Sequence, residues 1–151
     1  MKSRRFLLVA LAVSMMAGAW YACENEGDHE GGPNHNVGND CLMCHKSGGG
    51  GEGVFTAGGT VYKAAASTGV VNGAVDVVIK LYNNPDGAGN PVATMTSTVG
   101  GNFYTKSPVN FGNGIYVFMV AGNSTSIMPG AITYGGCNSC HGVSTGKLTV
   151  Q

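Results

Sequence analysis

Two copies of Cys-x-x-Cys-His mark this chain: Cys41-Leu42-Met43-Cys44-His45 and Cys137-Asn138-Ser139-Cys140-His141. Two thiols three positions apart on one helical turn can reach the two vinyl groups along one porphyrin edge. The histidine that follows can then swing beneath the ring and give a nitrogen to iron. The pattern predicts two c-type haems, held covalently by Cys41, Cys44, Cys137 and Cys140, with His45 and His141 as proximal iron ligands. Paired cysteines serve other chemistry as well: the two pairs could hold one zinc ion, or each could be a disulfide or a dithiol redox pair. Neither alternative asks for a histidine directly after both second cysteines, and the chain has four histidines in all.

An iron that carries electrons rather than binding gas needs a sixth ligand. His35, shortly before the first motif, and Met128, in the loop before the second, are the candidate distal ligands. His29 sits in an acidic stretch and reads as solvent-exposed. Met95 and Met119 fall in strand patterns and read as core filler, and Met43 lies inside the first motif, badly placed to cross its own ring. A thioether ligand raises a haem's potential relative to a second imidazole, so unlike ligands would give electron flow a direction.

Export is written into the first residues. Lys2, Arg4 and Arg5 precede an apolar run, Phe6 to Ala17, that is short for a spanning helix, and residues 1–22 read as a signal peptide. Cleavage after Ala19 is one outcome. The other is cleavage after Ala22 with lipid on Cys23, the one cysteine outside the two motifs, as in a bacterial lipoprotein; Trp20 and Tyr21 depart from the usual aliphatic and small residues before such a cysteine. The 151 residues carry eight basic and eight acidic side chains, and losing the signal's three basic residues leaves five against eight, a formal charge of −3. No basic patch remains, so nucleic acid is not an expected partner.

Residues 23–40, with Glu24, Glu26, Asp28 and Glu30 among Asn and Gly, read as a flexible acidic tether. Residues 41–151 then form the folded domain, its haem segments at 41–46 and 137–142. Ser47 to Gly53 reads as a flexible glycine-rich stretch. Beyond it the pattern is strand and turn: Phe55 to Tyr62, short or bulged where Gly58-Gly59 interrupts it; Val75 to Tyr82, with Val75, Val77, Ile79 and Leu81 on one face and Asp76 and Lys80 on the other; Val92 to Val99; Phe103-Tyr104; Ile115 to Ala121 as a central strand; and Lys147 to Val150. Ser124, Ser126 and Ser144 read as turn residues. Short strands at regular intervals with no amphipathic helix predict an all-β fold, an antiparallel β-sandwich.

Gly59-Thr60-Val61-Tyr62, Val71-Asn72-Gly73-Ala74-Val75 and Gly101-Asn102-Phe103 together resemble the carboxypeptidase regulatory-like, or transthyretin-like (prealbumin-like), β-sandwich over residues 55–121. The resemblance implies a scaffold without catalytic residues. The haem motifs make the chain look like a small dihaem member of the multihaem c-type cytochromes. Each motif precedes a terminal strand of the domain. If the first and last strands lie parallel and adjacent, both haems emerge at one end of the sandwich. The expected function is electron transfer at the envelope of a Gram-negative bacterium, in the periplasm or at the cell surface, through other cytochromes as redox partners and a lipid anchor in the membrane. A haem-based redox or gas sensor, and a structural subunit of a larger multihaem assembly, are the alternatives. No acid–base pair or activated serine suggests an enzyme.

Overall fold

The computed structural model describes residues 35–150. The signal peptide (1–22), the lipidation candidate Cys23, His29 and the tether up to residue 34 lie outside them. Among the described residues no helix is long and apolar enough to cross a membrane.

The fold is mainly β. Among the described residues a single helical turn, α1 (Cys41–Cys44), is followed by β1 (Ala57–Tyr62), β2 (Val78–Tyr82), β3 (Ala93–Thr96), β4 (Asn102–Thr105), β5 (Tyr116–Ala121), β6 (Ser124–Ile127) and β7 (Leu148–Thr149). Two short 3-10 turns, Val70–Asn72 and Cys137–Ser139, complete the regular structure. One sheet has the order β4-β1-β7 and the other β3-β2-β5-β6. Their apolar faces share one core: Ala57, Val61 and Phe103 come from the first sheet, Ile79, Leu81, Ala93 and Met95 from the second, with Val77 and Ile115 beside them. This arrangement is consistent with a β-sandwich. Burying an aliphatic or aromatic side chain of this kind contributes about 1.5–3 kcal/mol, so this cluster dominates the stability of the domain.

The strands follow the residue pattern closely. β3 alternates buried and exposed positions, as a half-buried strand must. β5 is flanked on both sides by β2 and β6, the central position that its apolar sequence suggests. The last strand pairs in parallel with the first, Val61 opposite Leu148 and Tyr62 opposite Thr149, so the sheet is mixed rather than purely antiparallel. That parallel neighbour relation is the one on which convergence of the two motifs depends.

Three local expectations are corrected. Val75 does not share the core face of Val77, Ile79 and Leu81. Asp76 adopts a left-handed conformation (φ 58°), which breaks the alternation and leaves Val75 47% exposed. Ser124 and Ser126 belong to β6, an edge strand paired with β5, not to a turn. Gly58-Gly59 forms no bulge: both glycines hold regular antiparallel register with Tyr104 and Phe103.

β1 is buried along its whole length, unlike a strand with one wet face. Ala57, Gly59 and Val61 point to the core. Gly58, Thr60 and Tyr62 point the other way and are covered by the segment that leads into α1. There the Gly38 N–H donates to Thr60 Oγ1 at 3.0 Å, and Asn102 Nδ2 donates to the His35 carbonyl at 3.0 Å. Residues 35–40, the C-terminal end of the expected tether, are therefore packed on the sheet.

Candidate functional site

The two motifs meet at β1. A Cβ on Gly58 would stand 3.3 Å from Cys41 Cβ, and one on Gly59 would stand 2.8 Å from Cys137 Cβ. The glycine pair is a platform that lets both cysteine segments approach the same stretch of backbone, a role glycine fills because it has no side chain. The Gly58 N–H donates to the Gly135 carbonyl at 3.0 Å, and Gly58 bridges in parallel to Gly136, which seats the second motif beside the strand.

Each motif closes on itself as a turn. Asp40 caps α1, accepting from the Leu42 N–H at 3.1 Å, and the His45 N–H returns to the Cys41 carbonyl at 2.9 Å. In the second motif the His141 N–H donates to the Cys137 carbonyl at 3.0 Å. A cysteine pair and its histidine are thus held on one compact turn in both places.

Both histidines are oriented in the same way. His45 Nδ1 donates to the Glu52 carbonyl at 3.0 Å, with the Gly53 carbonyl at 3.3 Å, and His141 Nδ1 donates to the Gly146 carbonyl at 2.8 Å. A carbonyl only accepts, so the proton sits on Nδ1 and leaves a lone pair on Nε2 in the neutral ring. That is the tautomer a histidine needs to bind a metal through Nε2, with its other nitrogen fixed by an outer hydrogen bond. The glycine-rich stretch 47–53 makes this possible at His45. It wraps the ring so closely that a Cβ on Gly51 would stand 2.8 Å from Nδ1. Its glycines serve close approach rather than a free linker.

His45 is buried, and its ring stacks on Phe55 with centroids 3.9 Å apart and planes 4° from parallel. Phe55 in turn stacks on Tyr104 at 4.1 Å, and Lys106 Nζ stands 5.8 Å from the Phe55 centroid. A short column of rings thus runs from the motif histidine to a half-exposed tyrosine.

Of the two candidate distal ligands, each lies by a different motif. His35 Nε2 stands 3.4 Å from His45 Nε2. Met128 lines an apolar cavity of about 430 Å³ together with Cys137, Cys140 and His141. The volume falls within the range of about 300–1,000 Å³ usual for small-molecule sites. Met95 is in the core and Met43 is exposed. Met119 lines the same cavity from β5, where it packs against the core.

The cysteines differ in state. Cys41, Cys137 and Cys140 carry free thiols, whereas Cys44 is disulfide-bonded. Burial pushes the Cys41 thiol up, helped by the charge of Asp40. Burial raises Cys137 to about 12, with smaller contributions from Cys41 and Asp40. Both first cysteines are therefore kept protonated near neutral pH. Among the described residues no group of three or more His, Cys, Asp or Glu side chains is placed to share one metal ion.

One residue that the sequence does not advertise ties the two motifs together. Asn138, a variable position inside the second motif, is 3% exposed. Its Oδ1 accepts from the Thr60 N–H at 3.1 Å. Its Nδ2 donates to the Asn39 carbonyl at 3.0 Å and to Thr60 Oγ1 at 3.1 Å. Thr60 Oγ1 donates in turn to Asn102 Oδ1 at 2.7 Å. The network links the approach to the first motif, the strand between the motifs, and the second motif. Its only sequence signal is a short amide side chain in a turn.

Compared with known proteins, the chain matches no family model, no curated protein and no solved structure.

Proposed function

We propose that the chain is an exported dihaem c-type cytochrome that passes electrons at a bacterial envelope. The carrying observation is the shared preparation of His45 and His141: each has Nδ1 tied to a backbone carbonyl and Nε2 left as a lone pair, directly after a cysteine pair. Bound haem would supply a one-electron iron centre at each motif. Cys41, Cys44, Cys137 and Cys140 are the attachment residues, Cys44 once a thiol reductant has opened its disulfide, and His45 and His141 are the proximal ligands. The β-rich domain, on this reading a prealbumin-like sandwich, brings the motifs together on β1 and covers one side of each. Cys23 is the lipid anchor that keeps the domain at a membrane, and its redox partners are other cytochromes.

The test is expression with c-type haem maturation, followed by intact mass and the spectrum of the denatured, pyridine-treated protein. Two haems that stay with the chain after denaturation support the reading. A chain that retains none defeats it.

The disulfide at Cys44 favours a second reading, in which only the second motif carries haem and the first is a structural cross-link. The same mass measurement separates the two, because this form retains a single haem. A sensor would leave one iron without a sixth ligand, and rapid carbon monoxide binding by the reduced protein would reveal it.

A further inference from the structure

We infer that the two motifs are unlike redox sites, His35 opposing His45 at the first and Met128 opposing His141 at the second, so that electrons run from the first motif to the second. The inference rests on the dihaem reading and adds to it the pairing of ligands and the direction of flow.

The first pairing rests on the two imidazoles themselves. Their Nε2 atoms stand 3.4 Å apart and the rings are tilted by 46°. Two nitrogens that each bind one metal at about 2 Å lie no more than about 4 Å apart, and these two are already within that span. His45 already presents a lone pair there, because its proton is on Nδ1. The His35 segment is held in place by Asn102, which donates to its carbonyl, and by the Gly38–Thr60 bond.

The second pairing rests on the cavity. Met128 and His141 line one space, walled by Ile79, Phe103, Val117 and Leu148. Met128 follows the end of β6, with its N–H held by the Val117 carbonyl at 3.0 Å, so its thioether comes from a short loop on an anchored backbone. Met119 reaches the same space from within β5 and is already committed to packing. Among the described residues, no histidine other than His141 lines this cavity.

The two sites then differ in the same sense twice. A thioether raises the potential relative to a second imidazole. An apolar shell disfavours the extra positive charge of the oxidised iron and raises it again. The second motif has both features. Convergence of the motifs on adjacent residues of β1 keeps the donor and the acceptor close.

The experiment is a potentiometric titration of the haem-loaded full chain, followed in the visible and near-infrared, for the wild type, Met128→His, Met128→Leu, Met119→Leu and His35→Met. In the wild type, two separate steps are expected, with the thioether-to-iron absorption belonging to the higher one. Met128→His should abolish that absorption and lower only the higher step, with two haems retained. His35→Met should raise only the lower step. A thioether signature that survives in Met128→Leu, or disappears in Met119→Leu instead, overturns the second pairing. A lower step unmoved in His35→Met overturns the first, and two haems titrating together in the wild type overturn the direction. A chain that retains fewer than two haems by mass fails the dihaem reading itself, and the pairing with it.

Discussion

If Gly59 is the seat of the second motif, a single methyl group there should unsettle both. In Gly59→Ala the new Cβ would lie 2.8 Å from Cys137 Cβ and 2.8 Å from Phe103 Cζ. Carbon atoms rest about 3.5–4.0 Å apart, so the neighbours must yield by about 1 Å. Phe103 is 1% exposed in the shared core but, like Cys137, borders the apolar cavity, so both neighbours can be displaced towards it, and the second motif shifts with Cys137. Overpacking of this kind costs about 1–3 kcal/mol, against about 0.5–1 kcal/mol regained by removing a strand glycine. A net loss of up to about 2.5 kcal/mol lowers Tm by up to about 10 °C in a domain of this size. Gly58→Ala meets its nearest atom at 3.2 Å and should lose less, while Gly130→Ala meets nothing within 4 Å and serves as the control. Thermal unfolding of the haem-free domain followed by circular dichroism reads the series, and alkylation of Cys137 should quicken in Gly59→Ala alone. A Gly59→Ala protein that melts with the Gly130→Ala control and whose Cys137 is alkylated no faster refutes the platform.

Asn138→Ala strips partners from the buried Thr60 N–H and the Asn39 carbonyl; a cost of about 1–3 kcal/mol for an unsatisfied group should appear as a lower denaturant midpoint. Ile79→Ala, at 2% exposure, should cost about 2–5 kcal/mol, whereas Val75→Ala, outside the core, should stay within about 0.5 kcal/mol; equal losses would restore Val75 to the core face. Cys137 binds its proton more tightly folded than unfolded, from the ordinary 9.0 up to about 12, so its contribution is fully present below pH 9 and lost as pH rises towards 12. Denaturant midpoints across that window should fall less steeply in haem-free Cys137→Ala than in the haem-free wild type.

Much of the fold is legible because strands announce themselves locally. The alternation from Val77 to Leu81 and the doubly apolar run of β5 each require only their own residues. β6 fails that test: Ser124, Thr125 and Ser126 carry no apolar period, and only pairing with β5 makes them a strand. At the site, the cysteines and proximal histidines are legible because their chemistry needs fixed spacing. The residues that bring the motifs together are not, because their partners are remote. Asn138 and Thr60 are separated by 78 positions. Gly58-Gly59 looks like a defect until the cysteines that need the space are in place, and the glycines at 48–51 look like slack until His45 is seen inside them.

β1 explains why a small domain can bring two distant motifs to one place. A parallel pair needs a long crossover, and here nearly the whole β domain is the crossover between β1 and β7. Each motif lies on the chain just before one member of that pair, so the parallel register carries both turns to the same end of the strand. An antiparallel partner would have placed them at opposite ends. The cost is a strand buried on both faces, with polar backbone and Thr60 inside. Thr60 Oγ1 meets it by accepting from Gly38 and Asn138 and donating to Asn102, which uses both lone pairs and the proton of the hydroxyl. Replacing Thr60 with Val keeps the shape and removes all three bonds. Its effect should therefore reach both motifs at once, while substitutions on the outer strands β3 and β6 leave their relation unchanged.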